Sequence, residues 1–194
     1  MANQNFNSAP LEVEACILTG GKAKRLGGGK EHLRLAGRSL LDRARAAAAE
    51  IPCRLIGRDV VPSCGPLGGI ITALRTTRAR YVLFLACDMP FLTPALTWQL
   101  AHFGSVRALF LETDNRVGFP FRLARETLSA AESLRREGHY SLQALARRLR
   151  ARRLRTARLA QLFNLNTFAD LAAARRQSRL VIPHSLATLT LRYA

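Results

Sequence analysis

Two side chains in this 194-residue sequence sit where chemistry is easiest to build, Asp88 and Lys30. Asp88 closes the apolar run YVLFLACD, and Pro90 turns the chain two residues later. A carboxylate held at the tip of a buried strand is a hard oxygen ligand on a rigid support. That suits Mg2+, which binds through few protein carboxylates together with substrate phosphates. The other reading of Asp88 is a cap for the helix that follows, although Thr93, directly before Pro94, is better placed to cap it. Lys30 ends the stretch GGKAKRLGGGK, in which five glycines, three lysines and Arg25 follow the first strand-like run. Glycine lets backbone N–H groups converge on an anion. Gly20 and Gly21 can present such groups to a triphosphate, while Arg25 and Lys30 neutralise its charge. From the residues alone, a flexible and merely solvated basic loop is the alternative.

Two familiar phosphate loops fail on spacing. A P-loop needs a glycine five positions before Gly29 and Ser or Thr after Lys30, but Lys24 and Glu31 stand there. The dinucleotide fingerprint could start at Gly27 and Gly29, yet its third glycine position is His32. Cys16, Cys53, Cys64 and Cys87 show no C-x-x-C pair and no metal-ligand rhythm with the four histidines. No Ser–His–Asp arrangement is visible. His139 and Trp98 read as surface or packing residues.

The elements that must position Asp88 and Lys30 follow from hydrophobic patterning. EACILT, CRLIG, YVLFLAC and VRALFLE read as strands, the third as one buried on both faces. Between and after them SLLDRARAAAAE, LGGIITALRTT, TPALTWQLAHF, ARETLSAAESLRREG and SLQALARRLR read as helices. Such alternation predicts a single-domain, three-layer α/β/α fold with a mostly parallel sheet, Rossmann-like in layout. Ligands in such sheets bind at the carboxyl ends of the strands, where the glycine loop, Asp59 and Asp88 all fall. The tail LATLTLR alternates weakly and could add an edge strand.

Composition narrows the partners. Lys and Arg outnumber Asp and Glu by 30 to 13, a formal net charge of +17, and 48% hydrophobic residues are enough for a core. From Ser141 onward there are eleven arginines and one acid, Asp170. This field favours anionic partners such as nucleotides or phosphorylated small molecules. The run ARRLRARRLRTARL, residues 146–159, is read as a leucine-backed element with a solvated arginine face. It lacks the interleaved aromatics of a nucleic-acid surface. Charge reversal between Arg147 and Arg155 is therefore expected to leave catalysis almost untouched. No apolar run approaches the ~20 residues that span a bilayer, and the start MANQNFNSAP has no signal-peptide character. A cytoplasmic protein without a membrane partner is expected.

Four ordered motifs resemble the MobA-like nucleotidyltransferases. Leu18, Thr19, Gly20 and Gly21, then Arg25, Leu26, Gly27 and Lys30, then Gly37, Leu40 and Leu41 match that family's first signature. GPLGGIITAL from Gly65, CDMPFL from Cys87 and NLNTFADL from Asn164 follow in the family's order. The resemblance covers roughly residues 14 to 175, and it places a domain at 1–176 with a tail of unassigned role at 177–194. It implies a fold of the nucleotide-diphospho-sugar transferase type. The implied reaction is Mg2+-dependent transfer of GMP from GTP to the terminal phosphate of molybdopterin, with release of pyrophosphate. Asp88 would hold the metal, and Lys30 and Arg25 the phosphates. Leu18, Thr19, Gly20, Gly21 and Asp59 would contact the nucleotide, while Asn164 and Asn166 would orient substrate or complete the metal shell. For Asp59 the competing role is a turn residue, and for the two asparagines a cap and turn before the helix near Thr167. GTP and molybdopterin are the implied small-molecule partners, with molybdoenzyme apoproteins or chaperones as protein partners.

The chain departs from the family pattern at Gly29, where Asp is common, and in a short span before Gly65. Those departures bear on the base pocket. The competing functions are therefore a cytidylyltransferase, another NTP transferase with a different phosphorylated acceptor, and a non-catalytic cofactor-binding module.

Overall fold

The computed structural model describes residues 12–19, 29–57, 64–180 and 191–193. Gly20, Gly21, Arg25 and Asp59 lie outside the described residues. The elements run β1 (Val13–Leu18), β2 (Arg34–Leu35), β3 (Arg38–Ser39), α1 (Leu40–Ala48), β4 (Cys53–Ile56), α2 (Pro66–Thr76), β5 (Tyr81–Ala86) and α3 (Pro94–Ala101). They continue with β6 (Ala108–Thr113), β7 (Arg116–Ala124), α4 (Leu128–Arg136), α5 (Leu142–Arg148), β8 (Arg152–Thr156), α6 (Phe168–Leu180) and β9 (Leu191–Tyr193).

One seven-stranded sheet, in the order β4-β1-β5-β7-β6-β8-β9, forms the middle layer. β4, β1 and β5 pair in parallel, as do β6 and β8. β7 is antiparallel to both its neighbours, and β9 is antiparallel to β8. Only β7 and β9 therefore run against the other five strands. The residue-176 boundary falls inside α6, and the weakly alternating tail supplies β9.

The strand residues alternate between two cores. Ala15, Ile17, Leu83 and Leu85 meet α1 and α3 on one face. Cys16, Leu18, Val82 and Phe84 meet α2, α4 and α5 on the other. Both faces of β1 and β5 are thus buried, which is why they read as continuous apolar runs. Three of the helices start where a side chain satisfies one of their first N–H groups. Ser39, Thr93 and Ser141 accept from Asp42, Leu96 and Ala144 at the heads of α1, α3 and α5. Thr93 is thus the cap of α3, which leaves the Asp88 carboxylate free of that duty.

Arg122 on β7 is the largest buried polar side chain, 1% exposed. Its guanidinium donates to the carbonyls of Ala101, Phe103, Gly104 and Val106 at 2.7, 3.0, 2.8 and 3.1 Å, and it stacks 4.1 Å from the Tyr81 ring. It holds the α3–β6 connection against the sheet. Arg122→Met keeps the packing over Tyr81 but strands those carbonyls, so a loss of about 2 kcal/mol in urea unfolding is expected.

The arginine-rich run 146–159 is not one solvated face. It spans the end of α5, a turn, β8 and the start of a 3-10 turn at Leu159–Leu162. Arg153 and Arg155 on β8 reach across to Glu112 on β6 at 2.9 and 3.1 Å, and the Glu112 side chain is only 4% exposed. Its alternation on a strand, and not on a helix, directs these two arginines to a buried carboxylate. Reversing Arg153 or Arg155 is therefore expected to lower the unfolding midpoint. Arg147→Glu, at an exposed helical position, stays within about 0.5 kcal/mol of the parent.

Candidate functional site

The parallel strands β1, β4 and β5 end together: Leu18 is in register with Ile56 on one side and Ala86 on the other. Among the described residues the chain passes this edge with chemistry-bearing side chains after β1, before β2, after β5 and before α6. Leu18 packs its side chain into the α2-side core. Thr19 tucks back onto β4, its N–H and Oγ1 meeting the Ile56 carbonyl at 3.2 and 3.4 Å.

Lys30 opens a 3-10 turn, Lys30–His32, preceded by Gly29 at φ 61°. That left-handed conformation is open to glycine, and to Asp or Asn more than to other residues. It sends the Lys30 side chain inward: Nζ lies 2.9 Å from Asp88 Oδ2 and 3.0 Å from Asn166 Oδ1. Lys30 and Asp88 are 13% and 24% exposed, so the pair is partly shielded from solvent. The other carboxylate oxygen, Asp88 Oδ1, is buried without a hydrogen-bond partner among the described residues.

A third, smaller apolar cluster makes this meeting possible. Leu35 and Leu40, just after the Lys30 turn, pack with Leu165, which precedes α6, and with Leu171 and Ala174 on it. The Leu165 N–H donates to the main-chain carbonyl of Asp88 at 2.8 Å. Leu165 therefore anchors the asparagine segment both to the β5 tip and to the chain that carries Lys30. The flanking asparagines diverge. Asn166 turns its amide oxygen to Lys30, whereas Asn164 Nδ2 donates to its neighbour's carbonyl at Leu162, 3.3 Å away.

Neither asparagine caps α6. Asp170 Oδ2 accepts from the N–H groups of Asn166 and Thr167 at 2.9 and 2.8 Å, and Thr167 Oγ1 accepts from the Asp170 N–H at 3.1 Å. This is a reciprocal capping arrangement, and T-x-x-D in the sequence was its available signal. The bonds from Asn166, first of all, hold the Asp170 carboxyl below its ordinary 3.8. A carboxyl lowered on folding stabilises fully above its unfolded value, and that contribution fades as pH falls through the lower folded value. Acidification should thus loosen the Asn166 turn, and amide exchange at Asn166 and Thr167 is the readout.

Cys87, beside Asp88, is no nucleophile. Burial, aided by the Asp88 charge, pushes its thiol up to about 11, so it stays protonated at neutral pH. Cys16 and Cys53 are likewise free thiols. No group of three His, Cys, Asp or Glu residues is placed to hold a metal among the described residues. One carboxylate with a buried, unpartnered oxygen, next to an amide oxygen, fits a cation that takes few protein ligands and shares phosphate oxygens. A cavity of about 350 Å³ opens at the opposite end of β5, where Arg78, Arg80, Arg107, Arg125 and Glu126 line it.

A mostly parallel sheet with charged groups gathered where its strands end puts the candidate site where open α/β sheets bind their ligands. The sequence model of the MobA-like NTP transferase domain matches residues 52–157, more than half of the 194-residue chain. The chain belongs to that family. A probable molybdenum cofactor guanylyltransferase of Chloroflexus aggregans is 35% identical over 111 residues, 47% of this chain and 53% of that protein. A molybdenum cofactor guanylyltransferase of Haemophilus influenzae is 29% identical over 100 residues, 42% of this chain and 52% of its own. The chain thus spans about half the length of these curated relatives.

Among solved structures, molybdopterin-guanine dinucleotide biosynthesis protein A of Archaeoglobus fulgidus aligns with a TM-score of 0.70 at 20% identity. The alignment covers 87% of this chain and all 100% of that one. That likeness establishes the nucleotide-diphospho-sugar transferase type of fold. The family match contains the GPLGG helix start and CDMPFL with Asp88, and it leaves out both Lys30 and Asn166.

Proposed function

We propose that this protein is a molybdenum cofactor guanylyltransferase, joining GMP from GTP to the terminal phosphate of molybdopterin and releasing pyrophosphate. The single observation that carries the reading is the convergence of Lys30, Asp88 and Asn166 at the carboxyl edge of the parallel strands. The names of the curated relatives support the same reaction.

The chemistry asks little covalent work of the protein. An acceptor phosphate oxygen attacks the α-phosphorus of GTP, the bond from that phosphorus to the β-bridging oxygen breaks, and pyrophosphate leaves with the electron pair. The nucleophile is already an anion, so no general base is required. Bringing two anions together and accepting charge on the leaving group is the task, and fixed positive charge answers it. Asp88 would hold Mg2+, which supplies charge neutralisation at the phosphates when bound. Lys30 and Arg25 bind the triphosphate, and the main chain of Leu18, Thr19, Gly20 and Gly21 with Asp59 contacts the nucleotide. Asn166 orients Lys30, and Asn164 orients substrate or completes the metal shell. The reading keeps the cytoplasmic setting expected from the sequence. No described helix is long and apolar enough to cross a membrane.

Guanine is the base this reading names. A guanine pocket needs an acceptor for N1–H and the 2-amino group and a donor for O6, whereas cytosine presents a different edge. Mismatched bases leave buried polar groups unpaired and are rejected strongly. GTP is therefore expected over CTP by at least roughly tenfold in kcat/KM, about 1.4 kcal/mol. Competition between the two nucleotides at fixed Mg2+ and molybdopterin measures it. A preference for CTP would assign the chain to cytidylyl transfer instead.

A further inference from the structure

Lys30 stands at the carboxylate that the proposed reaction needs for its metal. An ammonium has three N–H donors and no acceptor, and two of those donors are directed at Asp88 Oδ2 and Asn166 Oδ1. These are the oxygens a divalent cation would recruit from this part of the chain. A dication bound to Asp88 would lie within a few ångströms of the ammonium, at a place where both side chains are mostly shielded from water. Repulsion there is far less screened than at the surface. One carboxylate charge cannot offset both cations. A triphosphate, with several negative charges, can.

We propose that Lys30 is an internal counter-cation that keeps divalent metal off Asp88 until a nucleoside triphosphate arrives, so that metal and nucleotide enter together. The proposal rests on the reading of Asp88 as the metal ligand. Asn166 is the positioning residue of this device: its amide oxygen fixes the ammonium over the carboxylate, and Thr167 and Asp170 fix Asn166 through the capping bonds. When the triphosphate binds, Lys30 exchanges carboxylate and amide oxygens for phosphate oxygens, and Asp88 Oδ2 becomes available beside the buried Oδ1. The site thereby selects the metal–nucleotide complex over free metal.

Binding of Mn2+ alone to the full, nucleotide-free chain, followed by the loss of the free-ion electron paramagnetic resonance signal, tests the proposal. Lys30→Met should bind Mn2+ at least tenfold more tightly than the parent. Lys30→Arg, which keeps a cation there, should match the parent. Adding Asp88→Asn to Lys30→Met should remove the gain. Unchanged or weaker Mn2+ binding by a folded Lys30→Met protein overturns the idea, as does a gain that survives the loss of Asp88. The measurement is independent of transfer. A chain that moves no nucleotide but shows the Mn2+ gain refutes the proposed function alone. One that transfers GMP without the gain refutes only the counter-cation.

Discussion

Asp88→Asn is expected to leave a folded protein whose kcat/KM for nucleotidyl transfer has fallen at least roughly a thousandfold, about 4 kcal/mol. Asparagine keeps the shape of the side chain and removes its charge. The fold has little reason to object, because the bond that ties this segment to α6 uses the Asp88 main-chain carbonyl, which accepts from Leu165. Thr93 caps the helix that follows, so no capping duty is lost either. What disappears is the anionic ligand facing Lys30 across 2.9 Å. Thermal unfolding beside steady-state pyrophosphate release separates the two effects. A variant that unfolds near the parent's temperature yet turns over near the parent's rate would remove Asp88 from the chemistry.

Lys30→Met should weaken GTP binding by about 1.5–3 kcal/mol, the worth of a charge-assisted hydrogen bond, which is roughly ten- to 150-fold. GMP binding should change much less, since the partner of Lys30 is the phosphate tail and not the nucleoside. Equilibrium dialysis with both nucleotides gives the comparison, and equal losses would contradict the assignment. Methionine preserves the length and apolar stem of a side chain that is 13% exposed, so packing is a small part of the effect. The same substitution thus has opposite signs on two ligands. It loosens the nucleotide and, without nucleotide, tightens the metal.

Much of this site is legible in the chain before any coordinates are considered. Buried strands with both faces apolar announce themselves, and β1 and β5 lie where EACILT and YVLFLAC put them. β7 does not announce itself. Gly118 and Pro120 interrupt RVGFPFRLA, and proline argues against a central strand. Yet β7 sits between β5 and β6, because its pairing skips the two residues Phe119 and Pro120. Leu111 faces Gly118, and Phe110 then faces Phe121. The turn that creates this hairpin was visible as Asp114–Asn115, both at positive φ, 50° and 59°.

β8 was hidden for a different reason, its arginines masking a strand as a charged face. At the site, the long-range meeting of Lys30 with Asn166 depends on Leu165 packing against Leu35 and Leu40. No local pattern encodes that contact. Residue types marked both asparagines, and only packing distinguished Asn166 from Asn164.

The central claim is that the chain transfers a nucleotidyl group to a phosphorylated acceptor. Two samples of GTP, one labelled at the α-phosphate and one at the γ-phosphate, incubated with Mg2+ and molybdopterin, test it most directly. The account predicts that α-label appears in the molybdopterin product and γ-label in pyrophosphate, both dependent on the acceptor and both lost in Asp88→Asn. Transfer of γ-label to the acceptor, or no acceptor-dependent release of either label from a folded protein, would contradict it.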